Sequence, residues 1–258
     1  MGDDRLYRVV IRAAFVLFRL LGLRFDVRGE QHVPTSGAAV VAANHQSFLD
    51  FLVVGLPAVR RGRLVRFMAK EAVFRSPVGG PLMRGMRHIP VDRRHGAVAA
   101  RTALRALHAG ELVGVYPEAT IGHSFVVKDR ADLRLGAARL AVEAGVPLVP
   151  VATWGLHRVW TVGPHLSLRR GRWVGLWVGE PLWALPGEGA EELTDRFHAA
   201  LHDLVTGLVD AYPDPPRRPE SAWWWPAERG GGAPSPEVAR VLDRRAVAKA
   251  DGLPDPGD

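Results

Sequence analysis

Cysteine is absent from all 258 residues. That removes disulfide staples, a thiolate nucleophile and cysteine metal sites together, and it fits a cytoplasmic protein. Long uncharged apolar runs are missing too. The most apolar stretch, Leu6 to Leu23, is broken by Arg8, Arg12 and Arg19, whereas a membrane-spanning helix needs about 20 consecutive apolar residues. The same arginines, with no small-residue cleavage site after them, make a poor secretory signal. Zinc-finger spacing and basic-aromatic RNA-binding modules are also lacking, so nucleic acid is not an expected partner. No internal repeat is found.

What is present is an excess of cation, 34 Lys+Arg against 27 Asp+Glu for a formal charge of +7. Such a surface attracts anions: phosphorylated metabolites, coenzyme A or anionic lipid. On a helical wheel Arg5, Arg8, Arg12 and Arg19 fall within about a 60° wedge, and the rest of the circumference is apolar. Residues 1–24 therefore read as an amphipathic helix lying in an anionic membrane surface, arginines at the headgroups and Phe/Leu in the acyl boundary. A helix packed on the protein's own core is the other reading.

Beyond it, apolar runs of strand length alternate with helical patterns. Ala38–Ala43, Leu64–Lys70, His88–Val91, Leu112–Tyr116, Val146–Trp154 and Trp173–Gly179 read as strands. Helices are expected after Ser76-Pro77, over Ala97–Leu107, Leu133–Ala144 and Glu191–Tyr212. The alternation predicts a single α/β domain over 25–212, with a largely parallel mixed central sheet flanked by helices. Polar clusters recur where strands end, the place where such sheets bind ligands. From 213 to 258 the composition turns to Pro, Trp and Gly, which predicts a largely extended or disordered tail with a short helix near Val238–Ala248.

The heptapeptide Asn44-His45-Gln46-Ser47-Phe48-Leu49-Asp50 lies at a strand-to-helix turn, and the run Phe48–Val54 is apolar enough to pack as a helix. On a regular helix His45 and Asp50 would be about 140° apart, too far for a hydrogen bond. If His45 ends the strand and Asp50 starts the helix, the bend brings carboxylate to imidazole and leaves the other ring nitrogen free to take a hydroxyl proton. A turn histidine with Asp50 favouring the helix dipole is the alternative.

Taken with His88-Ile89-Pro90-Val91-Asp92-Arg93, Tyr116-Pro117-Glu118-Ala119-Thr120 and Val146-Pro147-Leu148-Val149-Pro150-Val151, this block resembles the glycerolipid acyltransferase family, typified by bacterial 1-acylglycerol-3-phosphate acyltransferases. The likeness spans about Val27 to Glu180, four blocks in the family's order and spacing. It implies that His45 acts as general base held by Asp50, with no metal and no cofactor. Acyl-CoA or acyl carrier protein would be the donor and a lysophospholipid, most simply 1-acylglycerol-3-phosphate, the acceptor. The site would lie at an anionic membrane surface on the cytoplasmic face of the cell membrane, the protein being peripheral or monotopic.

On the same basis Arg93 would bind the acceptor phosphate, a planar guanidinium giving two hydrogen bonds. Glu118 would orient the Arg93 region or acceptor hydroxyls, with Thr120 beside it in the same block. Lys70 matches a lysine common before the second block. Two departures stand out: Ala119 replaces a glycine, and Ile121 replaces an arginine of the phosphate site. Lys128, Arg130 or Arg134 would then supply the missing charge, or the acceptor is another lysophospholipid or a glycolipid. A non-catalytic lipid-binding protein of this fold, or a hydrolase using water as acceptor, are the remaining readings.

Overall fold

A computed structural model describes residues 4–92, 96–163 and 165–251. In chain order it contains α1 (Arg5–Leu20), β1 (Arg24–Arg28), β2 (Ala39–Ala43), α2 (Asp50–Val54), α3 (Leu56–Arg60), β3 (Val65–Lys70), α4 (Glu71–Arg75) and α5 (Gly79–Gly85). Next come β4 (Ile89–Val91), α6 (Gly96–His108), β5 (Leu112–Val115), α7 (Gly136–Ala144), β6 (Leu148–Trp154), β7 (Trp173–Val178), α8 (Ala190–Asp210) and α9 (Pro236–Asp251).

The seven strands form one sheet in the order β1-β7-β6-β2-β5-β3-β4. Every neighbouring pair is parallel except β6 with β7. The result is the largely parallel mixed sheet expected from the strand-helix alternation. β2 lies at its centre, and all five of its residues are buried. A strand covered on both faces can be an unbroken apolar run, as Ala39–Ala43 is. One face carries α6, α7 and α8, through Ala103, Leu107, Leu140, Phe197, Leu201 and Leu208. The other is covered by α1, α2 and α3, through Phe18, Val53, Val54 and Leu56.

α1 divides its apolar circumference between two environments. Tyr7, Ala14 and Phe18 are buried against the domain, while Val9, Phe15, Val16 and Leu20 stay exposed, Leu20 to 65%. Among the described residues no helix is long and apolar enough to cross a membrane.

The stretch after Tyr212 departs from the expected extended tail. Trp224 and Trp225 are buried against Trp154 and Tyr212, and α9 runs for 16 residues. Each tryptophan can bury roughly 150–250 Å². At about 25 cal/mol per Å² that is several kcal/mol per ring, enough to offset the poor local propensity of the Pro/Gly-rich chain around them.

Candidate active site

The parallel strands deliver their carboxyl ends to one rim of the sheet, where ligands bind in folds of this kind. Along the order β6-β2-β5-β3-β4 that rim presents Thr153, Asn44-His45, Tyr116-Pro117-Glu118, Lys70 and Asp92. Five segments remote in sequence thus become neighbours.

The β2 end is tied down first. The Asn44 side-chain amide donates to the Thr153 carbonyl at 2.9 Å and accepts the Thr153 N–H at 2.8 Å, both buried. Beyond Asn44 the chain leaves the sheet in an irregular turn, and Asp50 is the first residue of α2. The helix begins later than the apolar run from Phe48 suggested. The Ser47 hydroxyl and Phe48 N–H are used instead to hold the turn against the Trp160 carbonyl. The bend brings the His45 Nδ1–H to Asp50 Oδ2 at 2.9 Å. The same oxygen accepts the N–H groups of Gln46 at 2.7 Å and Ser47 at 2.8 Å. Asp50 therefore does both things that the spacing left open, capping the turn and pairing with the imidazole.

A carboxylate only accepts, so the neutral ring carries its proton on Nδ1 and has its lone pair on Nε2. Asp50 is fully buried, whereas the His45 side chain is 22% exposed. The ring stacks on Tyr116 at 4.3 Å between centroids, and Tyr116 stacks on Phe67 at 6.1 Å. Gly114 on β5 makes room for this column, because a Cβ there would lie 2.4 Å from the Phe67 ring. Burial, with the charge of Asp50 nearby, pushes the Tyr116 phenol well above its usual range.

The third block grips the backbone of His45 from both sides. Glu118 Oε2 accepts the His45 N–H at 3.3 Å, and the Gly122 N–H donates to the His45 carbonyl at 2.9 Å. Glu118 is only 3% exposed. Burial pushes its carboxyl up to about 8, against the opposing pull of Lys128 and the His45 N–H, while the negative charges of Asp243 and Asp50 push the same way as burial. Ala119 holds φ 57°, a left-handed conformation more natural to glycine. Ile121 is 6% exposed, so an apolar side chain occupies the interior where the family pattern has an arginine.

The other expected binding residues are dispersed. Lys70 closes β3 opposite Val91 on β4. Arg93, two residues on, lies outside the described residues. Thr120 is half-buried and its N–H bonds the Glu118 carbonyl at 2.8 Å. Arg134 is exposed, with its N–H on the Pro117 carbonyl at 2.9 Å. Lys128 and Arg130, considered as replacements for the missing arginine, have carboxylate partners: Lys128 Nζ lies 2.7 Å from Asp243, and Arg130 pairs with Glu191 and Asp195 of α8. Sequence reasoning did not find Asp243, which meets His123 across 120 residues of chain. Nothing local to α9 signals it. Tyr116 and Asn44, by contrast, flank the motif residues directly.

A family model described as Acyltransferase matches residues 24–154. The 1-acyl-sn-glycerol-3-phosphate acyltransferase of Bacillus subtilis is 27% identical over 178 residues, covering 69% of this chain and 82% of that one. The human 1-acyl-sn-glycerol-3-phosphate acyltransferase alpha is 35% identical over 135 residues, which is 51% of this chain but 46% of the relative. The crystal structure of the 1-acyl-sn-glycerophosphate (LPA) acyltransferase PlsC from Thermotoga maritima superposes with a TM-score of 0.63 at 25% identity, over 81% of this chain and 83% of that one.

Proposed function

The chain belongs to the Acyltransferase family, and we propose that it moves a fatty acyl group from a thioester to a lysophospholipid hydroxyl at a membrane surface. The acceptor we favour is 1-acylglycerol-3-phosphate, giving phosphatidic acid, as the names of the Bacillus subtilis and human relatives suggest. Acyl-CoA or acyl carrier protein is the donor.

The observation that carries this reading is the 2.9 Å bond from His45 Nδ1 to a buried Asp50. It leaves Nε2 as the basic nitrogen on a partly exposed ring. Nε2 takes the proton of the acceptor hydroxyl as its oxygen bonds to the thioester carbonyl carbon. The tetrahedral adduct then collapses, the C–S bond breaks, and the imidazolium returns the proton to the departing thiolate. Asp50 stabilises the imidazolium while it lasts. No acyl-enzyme and no cofactor enter the scheme. Arg93 is assigned the acceptor phosphate, with Lys70 at the neighbouring strand end. The outer apolar side of α1, with its arginines, is assigned to the membrane, placing the protein as peripheral or monotopic on the cytoplasmic face.

One observation favours a second acceptor class. Ile121 is buried where the family arginine adds phosphate charge, so a different lysophospholipid or a glycolipid hydroxyl stands as the alternative acceptor. Purified protein with acyl-CoA and a panel of lysolipids decides between them. Free CoA and acylated lipid are expected, greatest with lysophosphatidic acid, and His45→Ala should lose at least about 10²-fold in rate. Free fatty acid in place of acylated lipid would make the protein a hydrolase. No turnover with any acceptor, or full activity in His45→Ala, refutes the assignment.

A further inference from the structure

We propose that Asp243 on α9 is a positioning residue for the transfer site, fixing through Lys128 and His123 the loop from Glu118 to Lys128 that holds the His45 backbone. The inference rests on His45 being the base.

The carboxylate works as a bracket, one oxygen to each end of the loop's outer half. Oδ1 lies 2.5 Å from His123 Nδ1, and Oδ2 lies 2.7 Å from Lys128 Nζ. His123 directly follows Gly122, whose N–H holds the His45 carbonyl. Lys128 reaches back to the Glu118 carbonyl at 3.5 Å, and Glu118 holds the His45 N–H. Each grip on His45 is therefore one residue or one contact from a partner of Asp243, Gly122 beside His123 and Glu118 beneath Lys128.

The loop needs such a brace. Ala119 and Phe125 both adopt positive φ, at 57° and 56°, and conformations of that kind persist only where surrounding contacts over-determine them. The brace is also costly: side chains of Lys128 and Asp243 are each 10% exposed, and taking a charge pair out of water is expensive unless geometry is the return. A loop merely to be covered would be served better by apolar residues. Three residues earlier on the same helix face, Arg240 pairs with Asp129 and Asp132. Those partners lie beyond Lys128, so Arg240 docks the helix without touching either grip.

Removing the Asp243 charge should also be felt electrostatically. The charged groups facing Glu118 are Lys128, Asp243 and Asp50, with the His45 N–H as its bonded donor. Taking one negative charge away makes the Glu118 carboxyl easier to ionise. The pH at which the folded protein releases the Glu118 proton then moves down, and with it the upper end of the range over which stability falls as pH rises.

The experiment uses the full chain, with acyl-CoA and the best lysolipid acceptor for kcat and KM at neutral pH, and urea unfolding from about pH 5 to 9 for the stability profile. Asp243→Asn is expected to lower kcat/KM about 10-fold near neutrality, a modest share of what small misplacements at a reacting group can cost, and to bring the upper end of the stability profile to lower pH. Asp243→Glu should restore most of the rate, and Arg240→Gln should stay within about 2-fold with an unmoved profile. A loss caused only by weaker folding lowers the stability profile without shifting it. Asp243→Asn with wild-type rate and profile, Arg240→Gln matching Asp243→Asn, or a rate that rises in Asp243→Asn, marking α9 as a latch, each overturns the proposal alone. A wild-type chain without turnover, or a fully active His45→Ala, overturns the base assignment and this proposal with it.

Discussion

Replacing Glu118 with glutamine should change how the stability of the protein depends on pH. Glutamine keeps the oxygen that accepts the His45 N–H but cannot ionise. In the unfolded chain the Glu118 carboxyl titrates at its ordinary 4.5, and in the folded protein burial holds it up to about 8. The folded value is the raised one for an acid, so between these pH values the folded state keeps a proton that the unfolded state has lost. Stability then falls as pH rises through the window, by about 1.4 kcal/mol per unit, and is level on either side. From pH 5 to pH 8 the wild type should lose roughly 4 kcal/mol relative to Glu118→Gln. For a chain of this size that corresponds to roughly 8–16 °C in Tm. Urea unfolding of both proteins at pH 5, 6, 7, 8 and 9, compared through midpoints and slopes, measures the divergence directly. Two curves that run parallel within about 1 kcal/mol would show Glu118 ionised in the folded state at pH 5, and the account of its burial would be wrong.

Two further predictions concern residues away from the reacting atoms. Ala119→Gly relieves a positive φ, a gain of about 1–2 kcal/mol set against the extra chain entropy of glycine, so the net should be a small rise in Tm with unchanged kcat; a fall in Tm would mean that the alanine conformation carries no strain. Val16→Glu with Leu20→Glu places charge on the outer side of α1, where these residues are 58% and 65% exposed. Flotation with phosphatidylglycerol-containing vesicles should drop at least about 10-fold while Tm moves by no more than about 2 °C. Undiminished flotation would remove α1 as the membrane contact.

The central strands were legible because each is a short apolar run that the sheet buries on both faces, as with β2 and β6, whereas β1 is an edge strand with Arg24, Asp26 and Arg28 along it. The His45 to Asp50 spacing was legible as well, since a separation wrong for a helix is right for a strand-turn-helix bend. The start of α2 was not, because Phe48 and Leu49 look helical until Ser47 is seen bonded to Trp160. The fate of the stretch after Tyr212 was hidden for a different reason. Proline and glycine set local propensity, but Trp224 and Trp225 are placed by a partner, Trp154, that lies some 70 residues earlier. Asp243 shares that difficulty, as an acid on a charged helix carries no mark of the lysine and histidine it will meet. Ala119 looked like a mild exchange for glycine, and only its φ shows what the exchange asks of the backbone.

Asn44 has a further meaning for how a strand can end. Its side chain is a primary amide carried off the main chain, and it presents to Thr153 one N–H and one carbonyl oxygen, the same pair that a peptide unit offers. Paired with Thr153, it adds a rung to the ladder between β2 and β6 that the backbone itself no longer makes. The main chain is thereby released one residue early, free to swing out of the sheet at His45 without stranding an N–H or carbonyl of Thr153 in the interior. Aspartate lacks the donor, leucine both groups, and glutamine overshoots by a methylene. The departure point of the turn, and with it the placing of the imidazole, is set by an amide of one particular length.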